Sequence, residues 1–155
     1  MKRTRNWISL LASILLVGIL SACSSSAPKD DAPAPPKWDD GTAGTQVMNY
    51  ELHKFDLVQN ADPASFVTGA EKVWLDQFLS ERAAGTKFAR PNWIMGGAAF
   101  KILSQNAREL ELQVAYPLTD GNFDFIYYKF VAVNGEWKIA NHAGPDKKYL
   151  PDPEK

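Results

Sequence analysis

The order of apolar and polar residues divides this chain into unlike parts. Residues 7–20, WISLLASILLVGIL, form an apolar run without charge, whereas the residues that follow are rich in proline, serine and charge. Further along, apolar residues recur at regular spacings, first of three and four and later of two. The pattern predicts a disordered tether over residues 23–46, a single domain over residues 47–150 and a frayed tail over residues 151–155.

The first half of the predicted domain has helical spacing. Asp62 followed by Pro63 is typical of a helix start, because the carboxylate can cap free N–H groups and proline suits the first position. The apolar residues that follow at spacings of three and four predict one inner face: Phe66, Ala70, Val73, Trp74 and Phe78. Gly85 is the predicted end. The preceding residues 47–58 fit both a helix and a strand, with a slight preference for helix.

The second half of the domain alternates with a period of two, which predicts strands. The predicted strands are residues 99–103, 109–116, 123–133 and 136–140. Asn134–Gly135 is a strong signal for a tight hairpin between the last two, and Trp137 and Ile139 share one face of the final strand. Helical segments followed by consecutive antiparallel strands predict an α+β fold, with helix packed on a curved sheet.

The strand over residues 123–133 is apolar on both faces, unlike a strand with one wet face. One face has Phe123, Phe125, Tyr127, Val131 and Val133, and the other has Ile126, Tyr128, Phe130 and Ala132. We expect one face to pack on the helix. The other face, with Ile126, Tyr128 and Phe130 as candidate residues, would form a pocket or a contact surface. Its occupant would be a small apolar ligand, an envelope protein or a second copy of the chain.

The single cysteine, Cys23, lies just after the apolar run, which Lys2, Arg3 and Arg5 precede. A basic start, an apolar run and small residues are typical of an export signal, and the run is shorter than the about 20 residues that span a membrane. The sequence Leu20-Ser21-Ala22-Cys23 resembles the lipobox of bacterial lipoproteins. Ordinary secretion is the alternative, and it would leave an unpaired thiol in an oxidising compartment.

The lipobox resemblance implies removal of residues 1–22 as a signal peptide and lipid attachment to Cys23. The lipid would be a thioether-linked diacylglycerol and often an additional acyl chain such as palmitate, and two or more chains give a durable membrane anchor. Ser24 stands where an aspartate would signal inner-membrane retention. The resemblance therefore implies the outer membrane in a cell with two membranes, and otherwise the outer face of the cell membrane.

Charge and motifs argue against several classes of function. Without residues 1–22 the 17 basic residues fall to 14 while the 18 acidic residues remain, which gives a net charge of −4. A mildly acidic chain without a basic cluster is a poor candidate for nucleic-acid binding. Phosphate-loop, paired-cysteine and zinc-protease motifs are absent, so we expect no metal and no cofactor.

Candidate acid–base residues are few. His53 precedes the predicted main helix, and His142 follows the last predicted strand, where a solvated histidine is the expected state. Asp124 and Tyr128 share a face of their strand and are the one geometrically open acid–phenol pair, although such residues are usually structural.

The helix opened by DPASF and the strands that end in VNGEWKIA resemble the NTF2-like, cystatin-like α+β superfamily over residues 62–141. The resemblance implies a cone-like fold whose sheet curls around an apolar cavity, and it implies no particular activity. We therefore expect a non-catalytic, lipid-anchored envelope protein that binds a partner or small ligand. The alternatives are an enzyme of isomerase or hydratase type, or an accessory subunit of an envelope secretion or conjugation assembly.

Overall fold

A computed structural model describes residues 33–55, 60–89 and 91–152 of the chain. Its helices are α1 (Asp40–Lys54) and α2 (Gly69–Ala83), and its strands are β1 (Ala99–Gln105), β2 (Glu109–Pro117), β3 (Phe123–Val133) and β4 (Glu136–Ala143). The strands form one antiparallel sheet in the order β1-β2-β3-β4. The predicted α+β class is confirmed. The predicted signal peptide and Cys23 lie outside the described residues.

Helix α1 begins inside the stretch predicted as tether. The Asp39 side chain caps it by accepting a hydrogen bond of 2.7 Å from the Thr42 N–H. Ala43 has no exposed surface, and a Cβ on Gly44 would lie 2.3 Å from the ring of Phe100. The predicted tether therefore extends too far, because small residues let this polar stretch pack closely on the sheet. The preference for helix is confirmed as far as Lys54.

The residues just before α1 also pack against the sheet. Trp38 exchanges two hydrogen bonds of 2.9 Å with the side chain of Gln105, one through its N–H and one through its carbonyl. Its ring lies 5.7 Å from that of Phe130. Trp137, only 3% exposed, donates its indole N–H to the Pro36 carbonyl at 2.8 Å. The packed region thus begins near Pro36.

Helix α2 begins later than the sequence predicts. Asp62 makes no capping hydrogen bond, and Pro63–Phe66 form a short 3-10 turn. Val67 then pairs in parallel with Ile139, and the Thr68 N–H donates to the Ile139 carbonyl at 2.9 Å. The predicted start at Asp62 is wrong because this extended pair interrupts the helix. The helix ends at Ala83, and Gly85 follows with a φ of +94°, so the predicted end is confirmed.

The buried face of α2 differs from the predicted one at Glu71, Val73 and Leu75. Ala70, Glu71, Leu75 and Phe78 are buried, whereas Val73 is 54% exposed. The apolar residues alone predicted that Val73 is buried, whereas the structure buries the carboxylate of Glu71. A charged group therefore lies on the inner face of the helix.

The four inward residues of β2 are almost completely buried: Leu110, Leu112, Val114 and Tyr116. Between β3 and β4, Asn134 and Gly135 have φ values of +51° and +81°. Positive φ at both central residues is the requirement of a type I′ turn, so the predicted hairpin is confirmed.

Strand β4 contains one extra residue relative to β3. Phe130 pairs with Ile139 and Lys129 pairs with Asn141, which leaves Ala140 as a bulge. Before the bulge Trp137 and Ile139 point into the core, as predicted. A bulge reverses the alternation of side chains. His142 therefore pairs with Tyr128 and shares its inward direction.

The face of β3 that packs against the helices is the face with Tyr128 and Phe130, both at most 1% exposed. On the opposite face, Lys147 lies 4.4 Å from the ring of Tyr127, and Tyr149 donates to Glu111 at 2.7 Å. The expectation that the helix packs on the face opposite Ile126, Tyr128 and Phe130 is wrong, because the helices and a cavity lined by Ile126 and Tyr128 share the face of these residues. The C-terminal segment covers part of the outer face instead.

Both edges of the sheet carry a contact from another part of the chain. At the β1 edge the Asp40 carboxylate accepts a hydrogen bond of 2.7 Å from the Ile102 N–H. At the β4 edge the Ile139 carbonyl accepts a hydrogen bond of 2.9 Å from the Thr68 N–H. Within the part of the chain that the structure describes, no helix is long and apolar enough to cross a membrane.

Candidate functional site

A cavity of about 440 Å³ lies between the helices and the inner face of the sheet. Its walls are mostly apolar and include the aromatic side chains of Phe55, Trp74, Phe78, Phe88 and Trp93. Trp74 stacks on Phe78 at 5.3 Å with an interplanar angle of 17°. Apolar walls with a few polar groups are typical of small-molecule sites.

Two glutamates are buried beside this cavity. Glu51 of α1 is 2% exposed and lines the cavity, while Glu71 of α2 has no exposed surface and lies behind it. Each occupies a core-facing position because its helix turns that side toward the sheet. A buried carboxylate is costly unless it is paired and hydrogen-bonded, so its partners define the site.

Both oxygens of Glu71 have a partner. Tyr50 donates its hydroxyl to Oε1 at 2.5 Å, and Nδ1 of His142 lies 2.5 Å from Oε2. Tyr50 comes from α1, Glu71 from α2 and His142 from β4, so this cluster joins both helices to the sheet. Two short contacts fix the carboxylate and, through it, the imidazole.

Glu51 has a different set of partners. The Lys54 ammonium lies 2.7 Å from each carboxylate oxygen, and Tyr128 donates its hydroxyl to Oε1 at 3.0 Å. The hydroxyl of Tyr116 lies 3.4 Å from that of Tyr128. Because Tyr128 gives its proton to Glu51, Tyr116 is the donor in this phenol pair.

Lys54 is 6% exposed and is surrounded by aromatic rings. Its ammonium lies 4.9 Å from the ring centroid of Tyr50, 5.1 Å from that of Trp74 and 5.3 Å from that of Phe55. Ring faces attract a cation, which offsets part of the cost of removing the ammonium from water. Lys54 and Glu51 therefore form a buried ion pair in the cavity wall.

The three buried phenols stay protonated. Burial raises the pKa of Tyr128 well above its usual value, and the neighbouring Glu51 carboxylate raises it further. Burial and then Glu71 do the same to the pKa of Tyr50, and burial and then Glu51 to that of Tyr116. Tyr50 and Tyr128 thus remain hydrogen-bond donors to the two carboxylates, and Tyr116 donates to Tyr128.

His142 is the part of the Glu71 cluster that reaches the cavity. Its side chain is 26% exposed, it lines the cavity, and its ring lies 5.1 Å from that of Trp74. Nδ1 faces the buried Glu71, and Nε2 has no hydrogen-bond partner among the described residues. The expectation of a solvated histidine at a strand end is wrong, because the bulge at Ala140 turns the ring inward.

The other candidates from the sequence have separate places. Ile126 and Tyr128 line the cavity, whereas Phe130 belongs to the core. Asp124 accepts a hydrogen bond of 2.9 Å from the indole of Trp93, so the Asp124–Tyr128 pair does not form. His53 accepts a hydrogen bond of 3.1 Å from the Asp62 N–H.

The sequence reasoning missed Glu51, Lys54 and Glu71. A spacing signal existed, because Glu71 lies four residues before Leu75 and seven before Phe78 on the inner face of α2. The same holds for Glu51, four residues after Val47 in α1. A charged residue at a core-facing helical position predicts a buried polar group, which a face defined by apolar residues alone omits.

A second groove of about 510 Å³ runs along the outer sheet face beside Glu109, Glu111 and Lys129. Three of its charged residues are surface groups of the strands, and the fourth is Asp152 of the C-terminal segment. Glu111 and Lys129 already contact Tyr149. The groove contains no counterpart of the buried carboxylates. The inner cavity is therefore the better candidate site.

Within the described ranges no group of three or more His, Cys, Asp or Glu side chains is arranged to hold a metal ion.

No protein-family model matches the chain, and no curated protein is significantly similar to it in sequence.

Proposed function

We propose that this chain is a lipid-anchored protein of the cell envelope whose folded domain binds a small, flat and mostly apolar ligand. The observation that carries the binding function is the aromatic cavity with His142, Lys54 and Glu51 in its wall. Its volume of about 440 Å³ falls within the range of ligand pockets, about 300–1,000 Å³. Flat rings suit walls built from Trp74 and Phe78.

The lipid anchor rests on the sequence Leu20-Ser21-Ala22-Cys23 and the basic, apolar segment before it. The location that follows is the outer membrane of a cell with two membranes, or otherwise the outer face of the cell membrane. A ligand-binding domain held there would meet compounds that enter or leave the envelope.

The finer fold assignment, an NTF2-like cone, is part of the same proposal. Two helices on one face of a four-stranded antiparallel sheet, with a cavity between the layers, support it. The bulge at Ala140 supports it further, because bulges bend a strand and increase its twist.

Binding is tested by filling the cavity. Ile126 lines it, whereas the neighbouring Phe125 points to the opposite face and is 38% exposed. Ile126→Trp should abolish binding of a naphthalene probe, measured by its fluorescence with the full chain in mild detergent. Phe125→Trp adds an indole next door and should leave binding unchanged. Equal binding by both variants would contradict the proposed cavity function.

An acid–base enzyme is the second candidate function, and one observation favours it. His142 presents Nε2 to the cavity while Glu71 holds Nδ1. A carboxylate at Nδ1 gives the histidine the orientation and tautomer that a general base needs.

A further inference from the structure

We propose that His142 acts as a general base in the cavity and removes a proton from a flat, uncharged ring compound with an acidic C–H bond. Glu71 is a positioning residue behind it. The inference rests on the proposed binding function, because the substrate must first enter the aromatic cavity.

The imidazole of His142 is held by a carboxylate. A histidine becomes an effective base when a carboxylate fixes its orientation and its tautomer. Nδ1 of His142 lies 2.5 Å from Oε2 of Glu71, which has no exposed surface. With Nδ1–H donating to the carboxylate, the neutral ring carries its free electron pair on Nε2. The cavity side of the ring is therefore the basic side.

Glu71 is itself held in place by a second partner. Its other oxygen, Oε1, accepts the hydroxyl of Tyr50 at 2.5 Å, so the carboxylate cannot rotate away from His142. The imidazole also lies edge-on against Trp74, with an interplanar angle of 77°. Two partners thus hold the base in one orientation without substrate, as proton transfer requires.

The walls around the substrate are mostly apolar, although the cavity is partly open to solvent. Apolar walls lower the local dielectric, which strengthens electrostatic interactions inside the cavity. Lys54, only 6% exposed, lies in the same wall and is paired with the Glu51 carboxylate at 2.7 Å.

The step balances without a cofactor. Nε2 takes the proton, and the electron pair of the broken C–H bond moves into the substrate toward an electron-withdrawing group. The protonated imidazole then returns the proton at another atom, or a leaving group departs with the electron pair. Isomerisation and elimination are the two reaction classes that follow.

The test uses nitrobenzisoxazole, a flat ring compound that opens when a base removes its C–H proton. The electron pair forms a nitrile, the N–O bond breaks, and the product phenolate absorbs visible light. Turnover by the full chain is compared with equimolar free imidazole and with detergent alone. Binding is measured separately by quenching of tryptophan fluorescence.

We expect turnover by the parent chain and a loss of about a hundredfold in His142→Gln, since general bases typically contribute about 10²–10⁴-fold. His53→Gln is the matched control and should keep full turnover. Added imidazole should restore part of the rate to His142→Ala, which a merely structural role would not explain.

The Glu71→Gln variant distinguishes a positioning role of Glu71 from a purely structural one. The amide can still accept from Tyr50, but its N–H donates to Nδ1 and places the ring proton on Nε2. We expect kcat to fall with KM unchanged.

Three results would overturn the general-base proposal. Binding of the probe with turnover no faster than free imidazole leaves the cavity as a binding site only. Turnover that survives in His142→Gln assigns the base to another residue. Absence of binding contradicts the proposed ligand class as well.

Discussion

Nδ1 of His142 lies 2.5 Å from Oε2 of Glu71, and the two residues are 71 positions apart in the chain. The contact exists because Ala140 is an extra residue in β4, so the strand presents His142 to the side where Glu71 is buried. One bulge thus decides whether this histidine faces solvent or a carboxylate.

Glu71→Gln should lower the free energy of unfolding by about 1–3 kcal/mol, because an amide replaces a charged acceptor that is fully buried. Urea denaturation of the full chain measures the change. Asp76→Asn is the matched control on α2, since Asp76 pairs with Lys72 on the exposed side. Surface pairs contribute at most about 1 kcal/mol, so this control should differ little from the parent. Equal effects would show that the Glu71 cluster adds no stability.

Stability should fall as the pH rises above 10. In the unfolded chain phenols ionise near pH 10, whereas burial raises the pKa of Tyr50 and Tyr128 above that value in the folded state. The unfolded chain then releases protons that the folded chain retains, so alkali favours unfolding. The contribution is complete below pH 10 and disappears above it. Ultraviolet titration should show the buried phenolates appearing together with unfolding.

Trp137→Ala should destabilise the domain by about 3–5 kcal/mol, the usual cost of removing a large buried ring. The indole is 3% exposed and donates to the Pro36 carbonyl. Phe123→Ala is the control, because Phe123 is 56% exposed and should change stability by less than about 1 kcal/mol. A midpoint of denaturation for Trp137→Ala within error of the parent would contradict the burial.

Trp38→Ala should cost about 1–3 kcal/mol, because the ring is partly buried against Phe130 and Trp137. Lys37→Ala changes the adjacent exposed residue and should be neutral. Removal of residues before Gly44 should destabilise the domain further, since it deletes the first turn of α1. Unchanged stability after that truncation would support the prediction that residues 23–46 are a disordered tether.

Cys23→Ser should release the protein from membranes, because the proposed anchor needs the thiol. Cell fractionation followed by carbonate and detergent washes measures the release. Ser25→Ala is the control, since it changes a neighbouring residue outside the lipobox. Retention of the Cys23→Ser protein that only detergent reverses would contradict lipid anchoring through this residue.

Local signals predicted the sheet well. Asn134 and Gly135 determine their turn through backbone sterics alone, and alternation places Leu112 and Tyr116 inside irrespective of distant residues. Helix starts were harder. Asp62–Pro63 has the sequence of a cap, but pairing of Val67 with Ile139 is a long-range contact that overrides it.

The site was hidden for the same reason. His142 could be assigned to a face only by extending the alternation of Trp137 and Ile139, and a bulge breaks that extension. In the sequence Glu51 and Glu71 resemble surface charges, because the phenols that bind them come from other elements. Contacts between distant elements, rather than local propensity, create this cluster.

The contacts at the two sheet edges affect how copies of this protein could associate. Unpaired edges template strand addition between copies, which leads to aggregation. At the β1 edge the Ile102 N–H already donates to the Asp40 carboxylate. At the β4 edge the Ile139 carbonyl already accepts from the Thr68 N–H. If the proposed lipid anchor concentrates copies on a membrane surface, these copies would meet interrupted edges, and strand addition between them would be disfavoured.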